Sequence, residues 1–235
     1  MIYTRNSAIT SNWFKVRKIV FRKTVPRFVR HRLQSFRNKS IYKDYYLYRK
    51  VIFIHIPKVA GQAISISLFN DKHPGHWFYR DFQWEDMTKS KDYFTFSFVR
   101  NPYDRLVSAY FYLKDLKRSG ADAIFRDAHL NKYSTFDEFV KYGLERREII
   151  TWIHFIPQVE FLKNNDGEIL IDRIAKFEEI SKEYDMLRTR LGFGEALTKI
   201  NSSKRLRYKD YYNSETINIV KKIYSEDFSK LGYNE

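Results

Sequence analysis

The sequence predicts an α/β fold with a central parallel sheet, because strand-like apolar runs alternate with helical segments along the chain. Residues 51–56, VIFIHI, form an unbroken apolar run, which is typical of a strand buried on both faces. A second run, YFTFSFV at 93–99, is followed by Pro102, a residue that suits the first turn of a helix. We therefore expect a three-layer α/β arrangement.

The remaining elements follow the same alternation. After the first strand the pattern predicts a helix from Gln62 to Phe69, and then a polar connection that reaches residue 92. A short strand, RIAKF, is predicted at 173–177. Three more helices are predicted, at 135–147, 179–191 and 214–230. The chain contains no internal repeat and no low-complexity segment.

The net charge of +15 is unevenly distributed along the 235 residues. Residues 1–50 carry fourteen Lys or Arg and one acid, Asp44, whereas the other 185 residues carry a net charge of only +2. We predict a basic amphipathic N-terminal arm over 1–48 and a folded domain over 49–235. Such an arm can contact an anionic membrane surface or a polyanion, or its apolar face can pack on its own domain.

Several classes of protein are excluded by composition. The sequence contains no cysteine, which excludes disulfides, thiolate chemistry and cysteine-ligated metals. It has no run of eighteen apolar residues and therefore no predicted membrane span. The N-terminus also lacks the apolar core and the cleavage site of a signal peptide.

The turn after the first strand, PKVAGQA at 57–63, has the features of an anion site. Free N–H groups and the helix dipole favour negative charge at the start of a helix, and Lys58 adds a point charge there. Gly61 lets the backbone approach a ligand closely. The turn lacks the GK[ST] of a Walker A motif, and no metal-binding aspartate accompanies it. These absences favour a transferred group with less charge than a γ-phosphate, such as a sulfuryl group. An ordinary strand–helix turn with a solvated lysine is the alternative.

A second motif, FSFVRNPYDRLVSAYFYL, ends the second strand and opens a helix. Arg100 stands at the carboxyl end of that strand, where α/β proteins bind ligands, and its guanidinium can hold a phosphate with two hydrogen bonds. Ser108 offers a hydroxyl further along the helix. Alternatively, Arg100 caps the helix or forms an ion pair.

Together, FIHIPKVAG and FVRNPYDRLVSAY resemble the sulfotransferases that use 3′-phosphoadenosine-5′-phosphosulfate, specifically carbohydrate sulfotransferase family 2. The later segments FIPQVEFL, IDRIAKFEEI, INSSKRLRYKDYY and VKKIYSEDFSKLGY resemble that family in the same order, so the resemblance covers about 51–233. It implies a fold of the P-loop NTPase type, with a central parallel sheet and no required metal.

The resemblance also implies roles for individual residues. Lys58 would stabilise charge on the bridging oxygen of the donor, and Arg100 with Ser108 would hold its 3′-phosphate. Many relatives have Gly-Thr-Ser where this chain has Gly61-Gln62-Ala63, so two hydroxyl donors are missing. The donor-binding residues implied are Pro57, Lys58, Val59, Ala60, Gly61, Gln62, Ala63, Arg100, Ser108 and Lys204.

Transfer to an alcohol also requires a base, for which histidine is well suited. The segment KHPGHWFYRDF resembles the part of uronyl 2-O-sulfotransferases where histidine is the base, so we choose His76 first and His73 second. His154, in TWIHFIPQ, is a third candidate or a residue of the acceptor groove. Glu178 and Glu179 are further alternatives, although both suit the start of a helix.

The sequence therefore predicts an enzyme that moves a sulfuryl group from 3′-phosphoadenosine-5′-phosphosulfate to a hydroxyl of a carbohydrate, with an acidic glycan favoured by the basic charge. A phosphoryl-transferring P-loop kinase and a non-catalytic polyanion-binding protein are the alternatives. No nucleic-acid motif occurs in the folded part. In lacking a membrane anchor and cysteine, the chain resembles bacterial family members that work in the cytoplasm, so we expect a cytoplasmic enzyme. Its arm could add peripheral contact with a membrane. A luminal domain without its anchor is the alternative.

Overall fold

The computed structural model of the chain describes residues 40–197 and 206–234. Within these ranges, no helix is both long and apolar enough to cross a membrane. The amphipathic helix predicted near residues 13–23 lies outside the described residues.

A parallel three-stranded sheet forms the centre of the fold, with its strands in the order β1-β2-β3. The strands are Val51–Ile54 (β1), Phe94–Val99 (β2) and Arg173–Lys176 (β3). All four side chains of β1 are buried, as the unbroken apolar run predicted. In the register, Ile52 stands opposite Thr95, and Phe96 opposite Arg173.

Helices precede, connect and follow the three strands. Before β2 they are α1 (Asp44–Arg49), α2 (Gly61–Phe69), α3 (Tyr79–Glu85) and α4 (Met87–Asp92). Between β2 and β3 they are α5 (Pro102–Lys114), α6 (Ala121–Phe125), α7 (Phe136–Tyr142), α8 (Arg147–Ile150) and α9 (Gln158–Leu162), with a π-turn at Arg126–Leu130. After β3 come α10 (Ile180–Leu191), α11 (Ser214–Ile223) and α12 (Ser225–Leu231), with 3₁₀ turns at Phe177–Glu179 and Tyr208–Tyr211.

Two groups of buried side chains make up the core. One surrounds the sheet and includes Phe53, Phe96 and Phe82, and the other packs around α5 and includes Leu106 and Phe139. The described end of the predicted arm takes part in the first group, since Ile41, Tyr42 and Tyr46 are buried in it. Ile41, Tyr42 and Tyr46 thus pack on the domain, whereas Leu47 and Tyr48 are exposed.

The predicted mixed α/β fold with a parallel sheet is confirmed, whereas the three-layer, P-loop-like arrangement stays a prediction. Two predicted helices were wrong in extent. The helix predicted at 135–147 stops at Tyr142, where Gly143 donates its N–H to Phe139, and a separate short helix follows. The helix predicted at 214–230 is divided at Tyr224 into α11 and α12.

The polar connection between the first two strands holds two helices that the sequence did not reveal. Their starts are fixed by carboxylates, because Asp81 accepts a hydrogen bond from the N–H of Phe78, and Asp86 accepts one from the N–H of Lys89. The loop at residues 71–77 lies between α2 and α3, and its Gly75 and His76 contact His55 at the carboxyl end of β1.

Candidate active site

The turn between β1 and α2 has a strained backbone. Lys58 (φ 73°) and Ala60 (φ 59°) both adopt the left-handed conformation, which costs about 1–3 kcal/mol for a residue other than glycine. The Ala60 side chain makes no capping hydrogen bond to α2, so the first N–H groups of this helix point outward uncapped. Strain of this kind, next to free donors, is typical of an anion-binding turn.

Two arginines from the region after β2 hold this turn in place. Arg100 Nη1 donates to the carbonyl of Lys58 at 3.1 Å, and Arg105 Nε donates to the carbonyl of Pro57 at 3.2 Å. Val59, the next residue along the chain, is fully buried. The two sequence motifs are therefore joined directly, as the carboxyl ends of neighbouring parallel strands require.

The Arg100 side chain is paired within its own motif. Its Nε and Nη2 lie 2.8 Å and 2.7 Å from Asp104 Oδ2, and its guanidinium stacks on the Phe177 ring at 4.2 Å. Gln158 holds the backbone of Arg100 on both sides, accepting from its N–H and donating to its carbonyl. Ser108 lies one turn beyond Asp104 on the same face of α5 and is partly exposed.

Arg105 is a residue that the sequence analysis missed. Its side chain is buried and donates to the carbonyls of His154 and Ile156 as well as to Pro57. Burial lowers the pKa of Arg105, and the charge of the buried Asp227 opposes this effect. The sequence pattern of the helix did not indicate that Arg105 is buried, because its hydrogen-bond partners belong to segments that are distant in sequence.

His55 and His76 pack together at the end of β1. Their ring centres are 4.2 Å apart, His76 Nδ1 lies 2.9 Å from the carbonyl of His55, and His55 Nδ1 lies 2.8 Å from the carbonyl of Gly75. A carbonyl only accepts, so Nδ1 of each ring carries the hydrogen. Burial lowers the pKa of His76 to about 4 and that of His55 well below its ordinary value. His76 is therefore neutral at pH 7, with a lone pair on Nε2.

Gly61 is required by the His55 ring. A Cβ at Gly61 would lie 1.8 Å from His55 Cδ2 and 2.2 Å from His55 Nε2. We expected this glycine to admit a ligand, and the structure shows a side chain of the protein itself against it. Its backbone does not adopt a positive φ, so close packing of the imidazole is the reason for a glycine here.

A third histidine completes the cluster. The His154 ring centre is 6.3 Å from that of His76, and His154 Nε2 lies 3.3 Å from Asp122 Oδ2. Burial lowers the pKa of His154, although the Asp122 carboxylate opposes this. Nδ1 of His154 is buried without a hydrogen-bond partner in the described part of the chain. An unpaired buried nitrogen is costly and occurs preferentially at functional sites.

Lys58 is directed to the same place. Its Nζ lies 3.9 Å from the centre of the Tyr112 ring, and that ring is 5.1 Å from His154. The Lys58 charge is one of the causes that lower the pKa of His154. A cation and two neutral imidazoles, those of His76 and His154, therefore stand together beside the strained turn.

Residues 44–234 match the model of the sulfotransferase family, which is most of the chain. This chain belongs to the sulfotransferase family. The resemblance inferred from the two motifs is confirmed, and the reaction of the family, sulfuryl transfer, applies to this enzyme. A search of curated proteins returned no match, and neither did a search of solved structures.

In this sulfotransferase, the roles of the predicted donor-binding residues stay predictions, and the structure gives their places. Pro57 to Ala63 form the turn and the start of α2. The Gln62 amide donates to the carbonyl of Lys72 at 3.2 Å, so this side chain ties α2 to the loop at 71–77. Lys204 lies outside the described residues.

The other candidate bases lie in different surroundings. The His73 side chain is exposed; its N–H donates to Asp71 and its carbonyl accepts from Lys43. Glu178 accepts hydrogen bonds from the N–H of Asn101 and from the Tyr233 hydroxyl, which is a structural role. Of the candidate bases, His154 is the one whose pKa the Lys58 charge lowers, and His76 packs beside His154 and His55.

In the ranges 40–197 and 206–234, no three His, Asp or Glu side chains are grouped so that they could hold a metal ion. Independence of metal stays a prediction.

Proposed function

We propose that this sulfotransferase moves a sulfuryl group from 3′-phosphoadenosine-5′-phosphosulfate to a hydroxyl of a carbohydrate. The observation that carries the proposal is the meeting of Lys58, Arg100 and His76 around one strained turn. Its free N–H groups and left-handed residues provide a cradle for a phosphate. The donor supplies an activated sulfuryl group with a phosphate as leaving group.

Each half of the donor has a matching group on the protein. The uncapped N–H groups of α2 suit the 5′-phosphate, and Lys58 suits the charge that develops on the bridging oxygen. Arg100 suits the 3′-phosphate, as the family resemblance implies. Because Asp104 already neutralises Arg100, a phosphate at Arg100 would compete with this carboxylate for the guanidinium.

His76 is the base in this proposal. Nδ1 is held by the carbonyl of His55, so Nε2 is the atom that takes the proton of the acceptor hydroxyl. As the proton leaves, the acceptor oxygen forms its bond to sulfur while the bond between sulfur and the bridging oxygen breaks. The Lys58 ammonium stabilises the departing oxygen, and the proton stays on His76 until solvent removes it.

An acidic glycan is the acceptor that the charges favour. Arg118 is exposed at the site, where its Nη2 donates to the Tyr112 hydroxyl at 2.7 Å. The basic residues before position 50 add to the positive field, which attracts polyanionic acceptors.

A transfer assay with matched histidine variants tests this function. Radiolabelled donor is incubated with uronate-bearing and partly sulfated glycans, and the wild type is compared with His76→Ala. Loss of a general base lowers turnover by about 10²- to 10⁴-fold. His73→Ala, which changes an exposed histidine three residues away, is the control and should retain activity. Full activity in His76→Ala would exclude His76 as the base, and absence of transfer to any carbohydrate would refute the acceptor class.

A further inference from the structure

Tyr112, near the end of α5, lies between the lysine and the histidine parts of the site. Lys58 Nζ lies 3.9 Å from the centre of the Tyr112 ring. The same ring is 5.1 Å from the ring of His154. One aromatic side chain thus contacts the cation on one side and packs beside an imidazole on the other.

The hydroxyl of Tyr112 is held at a fixed place by two charged groups. Arg118 Nη2 donates to it at 2.7 Å, and it donates to Asp122 Oδ2 at 3.3 Å. Asp122 Oδ2 is also the oxygen that faces His154 Nε2. The ring can therefore neither tilt nor slide without breaking polar contacts at its outer end.

Packing alone does not explain this tyrosine. The neighbouring Leu113 is fully buried and provides the core contact at this turn of α5, whereas Tyr112 is only partly buried. The face of Tyr112 is directed to a lysine, and its edge carries a hydrogen-bonded hydroxyl. This arrangement is suited to orienting a charge.

We propose that Tyr112 is a positioning residue for Lys58, whose ammonium it holds at the mouth of the turn through its ring face, while Arg118 and Asp122 fix the ring. The inference rests on the proposed function, in which Lys58 contacts the donor. A lysine side chain has many rotamers, and the face of an aromatic ring attracts a cation. A charge that is already in place needs no reorganisation when the reaction begins.

The position of Lys58 in the free protein can be measured directly. Lysines are reductively methylated with ¹³C, and the Lys58 signal is assigned by its loss in Lys58→Arg. Methyl groups above an aromatic face are shifted upfield by the ring current. We expect an upfield Lys58 signal in the wild type and in Tyr112→Phe, and an unshifted signal in Tyr112→Leu. An unshifted signal in the wild type would overturn the inference.

Kinetics provide the second part of the test. Misplacement of a reacting group by about 1 Å can cost about 100-fold in rate, so Tyr112→Leu should lower kcat by about 10- to 100-fold with an unchanged KM for the donor. Tyr112→Phe retains the ring face but loses the hydroxyl contacts to Arg118 and Asp122, so it should lower kcat less than Tyr112→Leu does. In a Lys58→Met background, Tyr112→Leu should cause no further loss of kcat.

The outcomes separate this inference from the proposed function. Tyr112 does not act through the lysine if Tyr112→Leu retains the wild-type kcat. The same conclusion follows if Tyr112→Leu lowers kcat equally in the wild-type and Lys58→Met backgrounds. If the wild type transfers no sulfuryl group, the proposed function fails, and the methyl shift alone then decides whether Tyr112 orients Lys58.

Discussion

At the scale of single residues, His76 shows how a backbone contact selects the chemistry of a side chain. Its Nδ1 is bound to the carbonyl of His55, which leaves Nε2 as the basic atom. Burial keeps the ring neutral at pH 7, with a pKa of about 4. A neutral imidazole of fixed tautomer can accept a proton from an alcohol.

The same pKa predicts how stability depends on pH. The unfolded chain binds a proton at His76 near pH 6.5, whereas the folded protein binds it only near pH 4. The free energy of unfolding therefore decreases as the pH falls from about 6.5 to about 4. Above this pH range, the contribution of His76 to stability is fully present. The shift corresponds to about 3 kcal/mol, at about 1.4 kcal/mol per pKa unit.

Chemical denaturation at several pH values measures this effect. His76→Gln should weaken the loss of stability between pH 6.5 and 4, whereas His73→Gln, at an exposed site, should leave it unchanged. Burial of His55 and His154 acts in the same direction, so part of the slope should remain in His76→Gln. An identical slope in the wild type and His76→Gln would contradict the neutral, buried state of His76.

Sequence reasoning found some of these residues and missed others. Lys58 and Arg100 were recognisable because each directly follows an apolar strand, and the ends of parallel strands meet. The burial of Arg105 was not recognisable, since the carbonyls that it binds belong to Pro57, His154 and Ile156, which are distant in sequence. The same reason hid Tyr112 and Asp122.

At the scale of secondary structure, the start of α2 depends on the contact between Gly61 and His55. The imidazole occupies the space that any side chain at residue 61 would need. This contact links the last part of the first strand with the first turn of the helix that follows. It therefore fixes the direction in which the N–H groups of α2 point.

We predict that Gly61→Ala destabilises the protein by about 1–3 kcal/mol, the usual cost of overpacking. The new Cβ would collide with His55 Cδ2, and the displaced ring would disturb its packing against His76. Urea denaturation gives the free energy of unfolding. Gly61→Ala in a His55→Ala background is the matched control and should cost less, because the collision is absent. An equal cost in both backgrounds would show that His55 is not the reason for the glycine.

The strands were more predictable than the helices between them. VIFI and FTFSFV are apolar enough that burial on both faces follows from composition. The helices Tyr79–Glu85 and Met87–Asp92 are short and polar, and they depend on tertiary contacts such as Tyr42 donating to the carbonyl of Phe82. Such contacts with residue 42 leave no periodic signal in the sequence.

At the scale of the whole molecule, the chain builds one site from segments that are far apart in sequence. The turn at 57–60, the loop at 71–77, helix α5 and the segment at 152–158 all meet beside the carboxyl ends of β1 and β2. The sequence family extends over this whole assembly, from residue 44 to 234. The arrangement of two motifs around one turn was predictable from the sequence, and its histidine cluster was not.

Thermal stability with two nucleotides tests the proposed donor. We predict that 3′,5′-adenosine bisphosphate, at a hundred times its dissociation constant, stabilises the protein by about 2.7 kcal/mol, since a ligand that binds only the native state adds this amount. ATP with Mg²⁺ should stabilise it less at equal concentration, and Lys58→Met and Arg100→Met should each weaken the effect of the bisphosphate. Equal stabilisation by ATP with Mg²⁺, or none by the bisphosphate, would contradict the proposed donor.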